Sequence, residues 1–265
     1  MRARLIGIGV AFGLIAVLAV WATVSGTREY QIGCYATGLR GRTPSQIHNL
    51  TVAVSRIDGV VLQPGQVFSF VKTVGPWTAD MGYMKAPVSY DGELIRSWGG
   101  GVCQTSTTLY NAALLAGLDI IERHKHHWPA RYAPLGRDAA VAYSDIDLKF
   151  RNSLPAPVRL VGKVEGDRVS FRILSSCRPS FKVQIESQTR SVIRPGDIVL
   201  PRAEGSHAGW RVVNRGHPGF CVVIYRRFVH GGSVRSQMIS EDDYPVMNRV
   251  VAALPVHDSD IGRAR

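Results

Sequence analysis

The residues best suited to chemistry fall in two short stretches. Gly99-Gly100-Gly101-Val102-Cys103-Gln104 sets a thiol behind three glycines. Glu122-Arg123-His124-Lys125-His126-His127 follows after one more hydrophobic segment, with Asp138, Asp145 and Asp147 beyond it. The order is cysteine, histidine, acid. A thiolate is a nucleophile, an imidazole within hydrogen-bond reach can exchange its proton, and a carboxylate can hold that imidazole in one tautomer. One chemistry the set supports is therefore acyl transfer or hydrolysis, with Cys103 as nucleophile, His126 or His124 as base and Asp138 orienting it. The same histidines, with or without Cys103, could instead hold zinc. The plainest alternative makes Cys103 a small core hydrophobe, the histidine run a basic turn and Asp138 a turn-former after Gly136-Arg137.

These residues need elements to place them. Ser97 to Leu118 carries no charge, and its glycines and the hydroxyl run Thr105 to Thr108 argue against a membrane span. The pattern predicts a loop feeding a helix that is apolar nearly all round and so belongs in a core. Cys103 falls at the start of that helix, where unpaired N–H groups and the helix dipole favour a thiolate. Gly100 and Gly101 would let a substrate come close to the backbone, and with Gln104, Ser106 and Arg137 they form the candidate substrate-binding set. Upstream, Thr43-Pro44-Ser45-Gln46 reads as a capped helix start, with Ile47, Leu50, Val54 and Ile57 on one face and Gly59 as its stop. Asp119 to Arg123 reads as a strand. After Pro134 the pattern turns to strands at Ala139 to Tyr143, Asp147 to Phe150, Val158 to Val164 and Arg168 to Leu174, the last two joined by the turn Glu165-Gly166-Asp167. Further strands follow at Phe181 to Ile185, Arg211 to Val213 and Gly219 to Val229. The expected fold is a mixed α/β (α+β) domain with a buried central helix and a β-rich C-terminal extension. Its boundaries are 1–27 membrane segment, 28–42 linker, 43–175 main domain, 176–256 β-rich module and 257–265 disordered tail.

Charge and the N-terminus bound the setting. Lys and Arg exceed Asp and Glu by 32 to 20, a net +12, which suits an anionic partner surface. Arg2 and Arg4 precede an uncharged run from Leu5 to Thr27, close to the ~20 apolar residues that cross a bilayer. A weak cleavage signal at Val24-Ser25-Gly26 favours an uncleaved anchor over an export signal. The expectation is a single-pass membrane protein whose main domain is extracytoplasmic, facing lipid head groups or wall polymers. No zinc-finger, homeodomain or RNA-binding signature is present, so nucleic acid is not an expected partner. In an exported chain, four cysteines suggest oxidised pairs. Cys177 and Cys221, which flank the β-rich module, are the expected disulfide.

Pro64-Gly65-Gln66-Val67-Phe68-Ser69-Phe70, Val74-Gly75-Pro76, the run Gly99 to Ala112, Glu122-Arg123-His124-Lys125-His126, Gly136-Arg137-Asp138-Ala139 and Asp147 to Asn152 together resemble the VanW family, over roughly Ile47 to Leu174. That family is named for an accessory gene of vancomycin-resistance clusters, and the resemblance implies a bacterial envelope protein. Cys103, His124, His126 and Asp138 match the family's motif, whereas His127 stands where other residues are usual. The order of thiol, histidine and acid is also similar to that of transglutaminase-like and NlpC-type hydrolases, at a shorter interval. Two functions are thus expected of this chain: cysteine-dependent acyl transfer or hydrolysis on peptidoglycan peptides, or non-catalytic binding to the cell wall.

Overall fold

Thr43 and Gln46 cap a helix reciprocally: the Gln46 amide donates to Thr43 Oγ1 at 3.3 Å, and the Thr43 amide to Gln46 Oε1 at 3.0 Å. Helix α1 (Pro44–Ile57) then buries Leu50, Ala53, Val54 and Ile57, one stripe at helical spacing. The computed structural model describes residues 28–90, 93–143, 146–201 and 209–253. The expected anchor at 1–27 and the tail at 257–265 lie outside those residues. No helix among the described residues is long and apolar enough to cross a membrane.

Strand β1 (Tyr30–Gly38) pairs antiparallel with β9 (Arg168–Ser175), which pairs with β8 (Val158–Glu165), which pairs with the short β2 (Val61–Leu62). The expectation of a linker over 28–42 is therefore corrected, because Tyr30 to Gly38 forms a full edge strand. Its composition hid it. Gly33 packs so tightly on the central helix that a Cβ there would stand 2.4 Å from the Ala112 carbonyl oxygen. What looked like linker glycine is close strand-to-helix packing.

That central helix, α3 (Val102–Leu115), is the expected one, with Leu109, Tyr110, Ala112, Ala113 and Leu114 fully buried against α1 and the β1–β9 face. A second small sheet joins β3 (Val67–Ser69), β7 (Lys149–Arg151) and β6 (Asp119–Glu122) beside α2 (Phe70–Val74). Between α2 and α3 lies a hairpin, β4 (Lys85–Tyr90) and β5 (Glu93–Trp98). The expected strand at Ala139 to Tyr143 is reduced to isolated bridges, His124 to Ala140 and Ala142 to Ile146.

Among the described residues after Ser175 every regular element is a strand, in keeping with the expected β-rich extension. Long β10 (Lys182–Ile193), β13 (Gly219–His230) and β14 (Ser233–Tyr244) form one antiparallel sheet. Short β11 (Asp197–Val199), β15 (Arg249–Ala253) and β12 (Trp210–Asn214) form another. The expected Cys177–Cys221 disulfide is not formed, since all four cysteines are free thiols. Register explains why: Cys221 lies opposite Ser191 near the far end of β10, whereas Cys177 precedes the strand's beginning at Lys182. Ten strand residues, Lys182 to Ser191, lie between the two positions, roughly 30 Å of extended chain and far beyond bonding reach.

Candidate functional site

Cys103 is the second residue of α3, and the turn before it is locked. Gly101 caps the helix at φ 108°, and a Cβ on it would stand 2.4 Å from the Gln46 carbonyl oxygen. A Cβ on Gly100 would come within 2.6 Å of the Pro87 carbonyl oxygen, and Asn49 Nδ2 donates to the Gly100 carbonyl at 2.9 Å. The expected substrate-binding role of these glycines is thus replaced by a packing role: they seat the thiol-bearing turn on α1 and β4.

The histidine arrives by strand pairing. The Ala140 amide donates to the His124 carbonyl at 2.7 Å, which brings the 124–126 segment alongside 138–140. Two residues on from that bridge, His126 meets Asp138: its amide and its Nδ1 both reach Asp138 Oδ2, at 2.7 and 2.6 Å. His126 is also the neighbour that acts on the ionisation of the Cys103 thiol, and with Nδ1 engaged by Asp138 its Nε2 is the nitrogen free to exchange a proton with sulfur. Cys103 Sγ lies 3.5 Å from the Val141 carbonyl oxygen. His124, by contrast, points to solvent and bonds Glu122 Oε1 at 3.1 Å. Of the two candidate bases, only His126 joins the thiol. Asp147 caps α2 instead, accepting from Ser69 Oγ at 2.6 Å and the Val71 amide at 2.9 Å. Asp145 lies outside the described residues.

Asp138 is held on all sides. Besides His126, Arg123 Nη2 donates to its Oδ1 at 3.1 Å, and the Tyr244 hydroxyl donates to the same oxygen. Arg123 is itself fixed by Asp242 at 2.6 and 2.7 Å. The Asp138 side chain is 2% exposed and that of His126 is 25% exposed, so the imidazole connects a buried carboxylate to the surface. Burial alone would raise the carboxyl, but the His126 hydrogen bond and the Arg123 charge hold Asp138 down at about 2. Burial would likewise lower His126, yet Asp138 and the sulfur raise it to about 10. The thiol is pushed up by burial and pulled below its ordinary value by the hydrogen bond and charge of His126. Thiol, imidazole and carboxylate thus follow one another in the order of a nucleophile, its base and the group that orients that base.

The remaining expected residues brace this arrangement. Ser106 Oγ donates to the Ala139 carbonyl at 2.6 Å and Asn111 Nδ2 to the Arg137 carbonyl at 2.7 Å, tying α3 to the segment that carries Asp138. Arg137 bonds Asn111 Oδ1 and lies over the Tyr35 ring, so its expected substrate contact is replaced by a structural one. Gln104 is buried and holds Arg42 at 2.7 Å. Sequence reading passed over Tyr132, whose ring stands edge-on to His126 with centroids 6.4 Å apart, and over Tyr244 and Asp242, which come from β14. Nothing in their spacing announces a role. Among the described residues no group of three His, Cys, Asp or Glu side chains is placed to hold a metal, so the zinc alternative gains no support. A surface cleft of about 500 Å³ is lined by Arg123, Asp242 and facing residues of β6 and β14, not by Cys103 or His126.

Residues 45–174 match the family model described as VanW like protein. The uncharacterized protein YoaR of Bacillus subtilis is 38% identical over 146 residues, covering 55% of this chain and 48% of that protein. The chain belongs to the VanW family. Another relative, the vancomycin B-type resistance protein VanW of Enterococcus faecalis, is 26% identical over 155 residues, covering 57% of this chain and 56% of that protein. The chain thus spans about half the length of these relatives. A G5 domain of an IgA1 protease overlays 30% of the chain and 96% of its own length at 16% identity and TM-score 0.22, too low to carry an argument. Cys103, His126 and Asp138 all lie inside the VanW-like stretch, whereas Arg42, Asp242 and Tyr244 lie outside it.

Proposed function

We propose that this VanW-family chain is an extracytoplasmic cysteine acyltransferase or hydrolase acting on peptides of the bacterial cell wall, held at the membrane by its N-terminal segment. The observation that carries the proposal is His126, whose Nδ1 lies 2.6 Å from Asp138 and whose charge acts on the Cys103 thiol. The name of the Enterococcus faecalis relative and the net charge of +12 support a wall-related setting. The Cys103 thiolate attacks a peptide carbonyl carbon, and a C–S bond forms as the carbonyl electrons move to oxygen. Val102 and Gln104 of the first turn of α3 give their amides to the Gly99 and Gly101 carbonyls, so the Cys103 amide is the candidate donor to that oxyanion. When the intermediate collapses, the C–N bond breaks, and the His126 imidazolium gives its proton to the departing amine. Water or an acceptor amine then attacks the thioester and loses its proton to the neutral imidazole, regenerating the thiolate. Asp138 keeps Nδ1 protonated throughout.

The test is covalent trapping. The full-length chain in its membrane fraction is incubated with soluble wall-peptide fragments, quenched in acid and mapped by mass spectrometry. An acyl mass on Cys103, absent from Cys103→Ala, is the expected result. Equal retention of fragments by wild type and Cys103→Ala, with no adduct, would replace this reading by the non-catalytic wall-binding one.

A further inference from the structure

Arg42 is held by Gln104, the residue that follows this thiol, and its charge has no carboxylate partner among the described residues. Its Nε donates to Gln104 Oε1 at 2.7 Å, and its guanidinium carbon lies 4.9 Å from the Tyr132 ring centroid. No carboxylate pairs with it among the described residues, and neither Nη atom has a protein acceptor there. Arg123 makes a useful contrast, with bonds to both Asp138 and Asp242. A partly buried guanidinium left without a counter-charge gives up solvation for nothing unless a ligand completes it.

The fixing of Arg42 is elaborate. Gln104, 1% exposed, donates from Nε2 to Thr37 Oγ1 at 3.0 Å and to the Gly38 carbonyl at 2.8 Å, which leaves its oxygen for Arg42 alone. Thr37 is locked in turn to Thr108 on α3 at 2.9 Å. Tyr132 completes the frame: its face takes Arg42, and its ring stands at 88° to that of His126. The cation and the imidazole are thus held around one ring, and Gln104 follows Cys103 directly in the helix. With Nε engaged, the two Nη groups present a planar pair of donors, which matches the two oxygens of a carboxylate. Tyr132 carries no second cation among the described residues, as a phosphate dianion would call for.

We infer that Arg42 is a carboxylate anchor, so that the acyl donor is a peptide bearing a free carboxylate a few bonds from the carbonyl that Cys103 attacks. This rests on the acyl-transfer reading and adds the substrate's charge to it. Arg42 precedes the VanW-like stretch, so the specificity determinant comes from the segment that links β1 to α1.

N-bromoacetylglycine and its neutral counterpart N-bromoacetylglycinamide separate the two ideas. In each, the thiolate displaces bromide to leave a thioether on Cys103, and only the first carries a carboxylate. Saturation kinetics of Cys103 modification on the full-length protein give an inhibition constant for each probe. A charge-assisted contact of ~1.5–3 kcal/mol predicts an acid-to-amide preference of roughly 10- to 100-fold, collapsing toward one in Arg42→Gln and partly kept in Arg42→Lys. A measurement without any variant is available too: N-acetylglycine should slow alkylation of wild-type Cys103 by iodoacetamide, and N-acetylglycinamide should not. If the amide probe labels Cys103 readily but the acid gains no preference, or keeps it in Arg42→Gln, the anchor is wrong and the nucleophile stands. If neither probe labels Cys103, both ideas fall.

Discussion

At the scale of single residues, the site depends on three side chains correcting one another's ionisation. His126 is raised to about 10 and Asp138 lowered to about 2, and the two shifts act on stability at opposite ends of the pH scale. A raised histidine stabilises the fold fully below its unfolded value of ~6.5 and loses that contribution as pH rises toward its folded value. A depressed carboxyl stabilises above ~4 and loses its contribution as pH falls through its folded value. Thermal denaturation should therefore show a plateau from about pH 4 to 6.5 with decline on both sides, and His126→Ala should flatten the alkaline decline. Asp138→Asn should lower His126's basicity and move the onset of Cys103 alkylation at least one pH unit upward. The thiol and its histidine cluster were legible from the sequence. The choice of His126 over His124 was not, because it depends on which residues of 138–140 stand alongside that segment.

Elements set the precision of this geometry. The capped α1 and the apolar α3 are visible in the sequence as strong periodic patterns. The β4–β5 hairpin and strand β1 are not, because Pro87, Gly33 and Gly38 interrupt their alternation and only tertiary packing makes them strands. The three glycines before Cys103 looked like room for a substrate, yet their space is filled by Trp77, β4 and α1. Gly101→Ala should therefore destabilise the protein, by ~2 kcal/mol or more, since the left-handed backbone and the Gln46 carbonyl both oppose a Cβ. Denaturant unfolding measures that, with the midpoint moving down at unchanged slope. Ser106→Ala should cost ~1 kcal/mol by removing the shorter of the two hydrogen bonds that the Ala139 carbonyl accepts from α3.

Across the whole molecule, the β-rich module is part of the site rather than an appendage. Tyr244 and Asp242 on β14 complete the shell around Asp138 and Arg123, more than a hundred residues from either. Long-range contacts of this kind leave no local pattern, so the strands of this module were readable while their contacts with Asp138 and Arg123 were not. Tyr244→Phe should lower stability by ~1 kcal/mol and weaken the hold on Asp138, detectable as slower alkylation of Cys103 at neutral pH. Since Cys177 and Cys221 are free, dithiothreitol should leave the melting temperature unchanged; a drop would mean a disulfide forms after all.

The central claim is the thiolate–imidazolium pair, and the rate of Cys103 alkylation by iodoacetamide against pH tests it most directly. The pairing with His126 requires half-maximal reactivity well below the ~8.5 of an ordinary thiol, with His126→Ala returning the profile to that value or above. A profile that rises only near 8.5 in the wild-type protein and does not move in His126→Ala would contradict it.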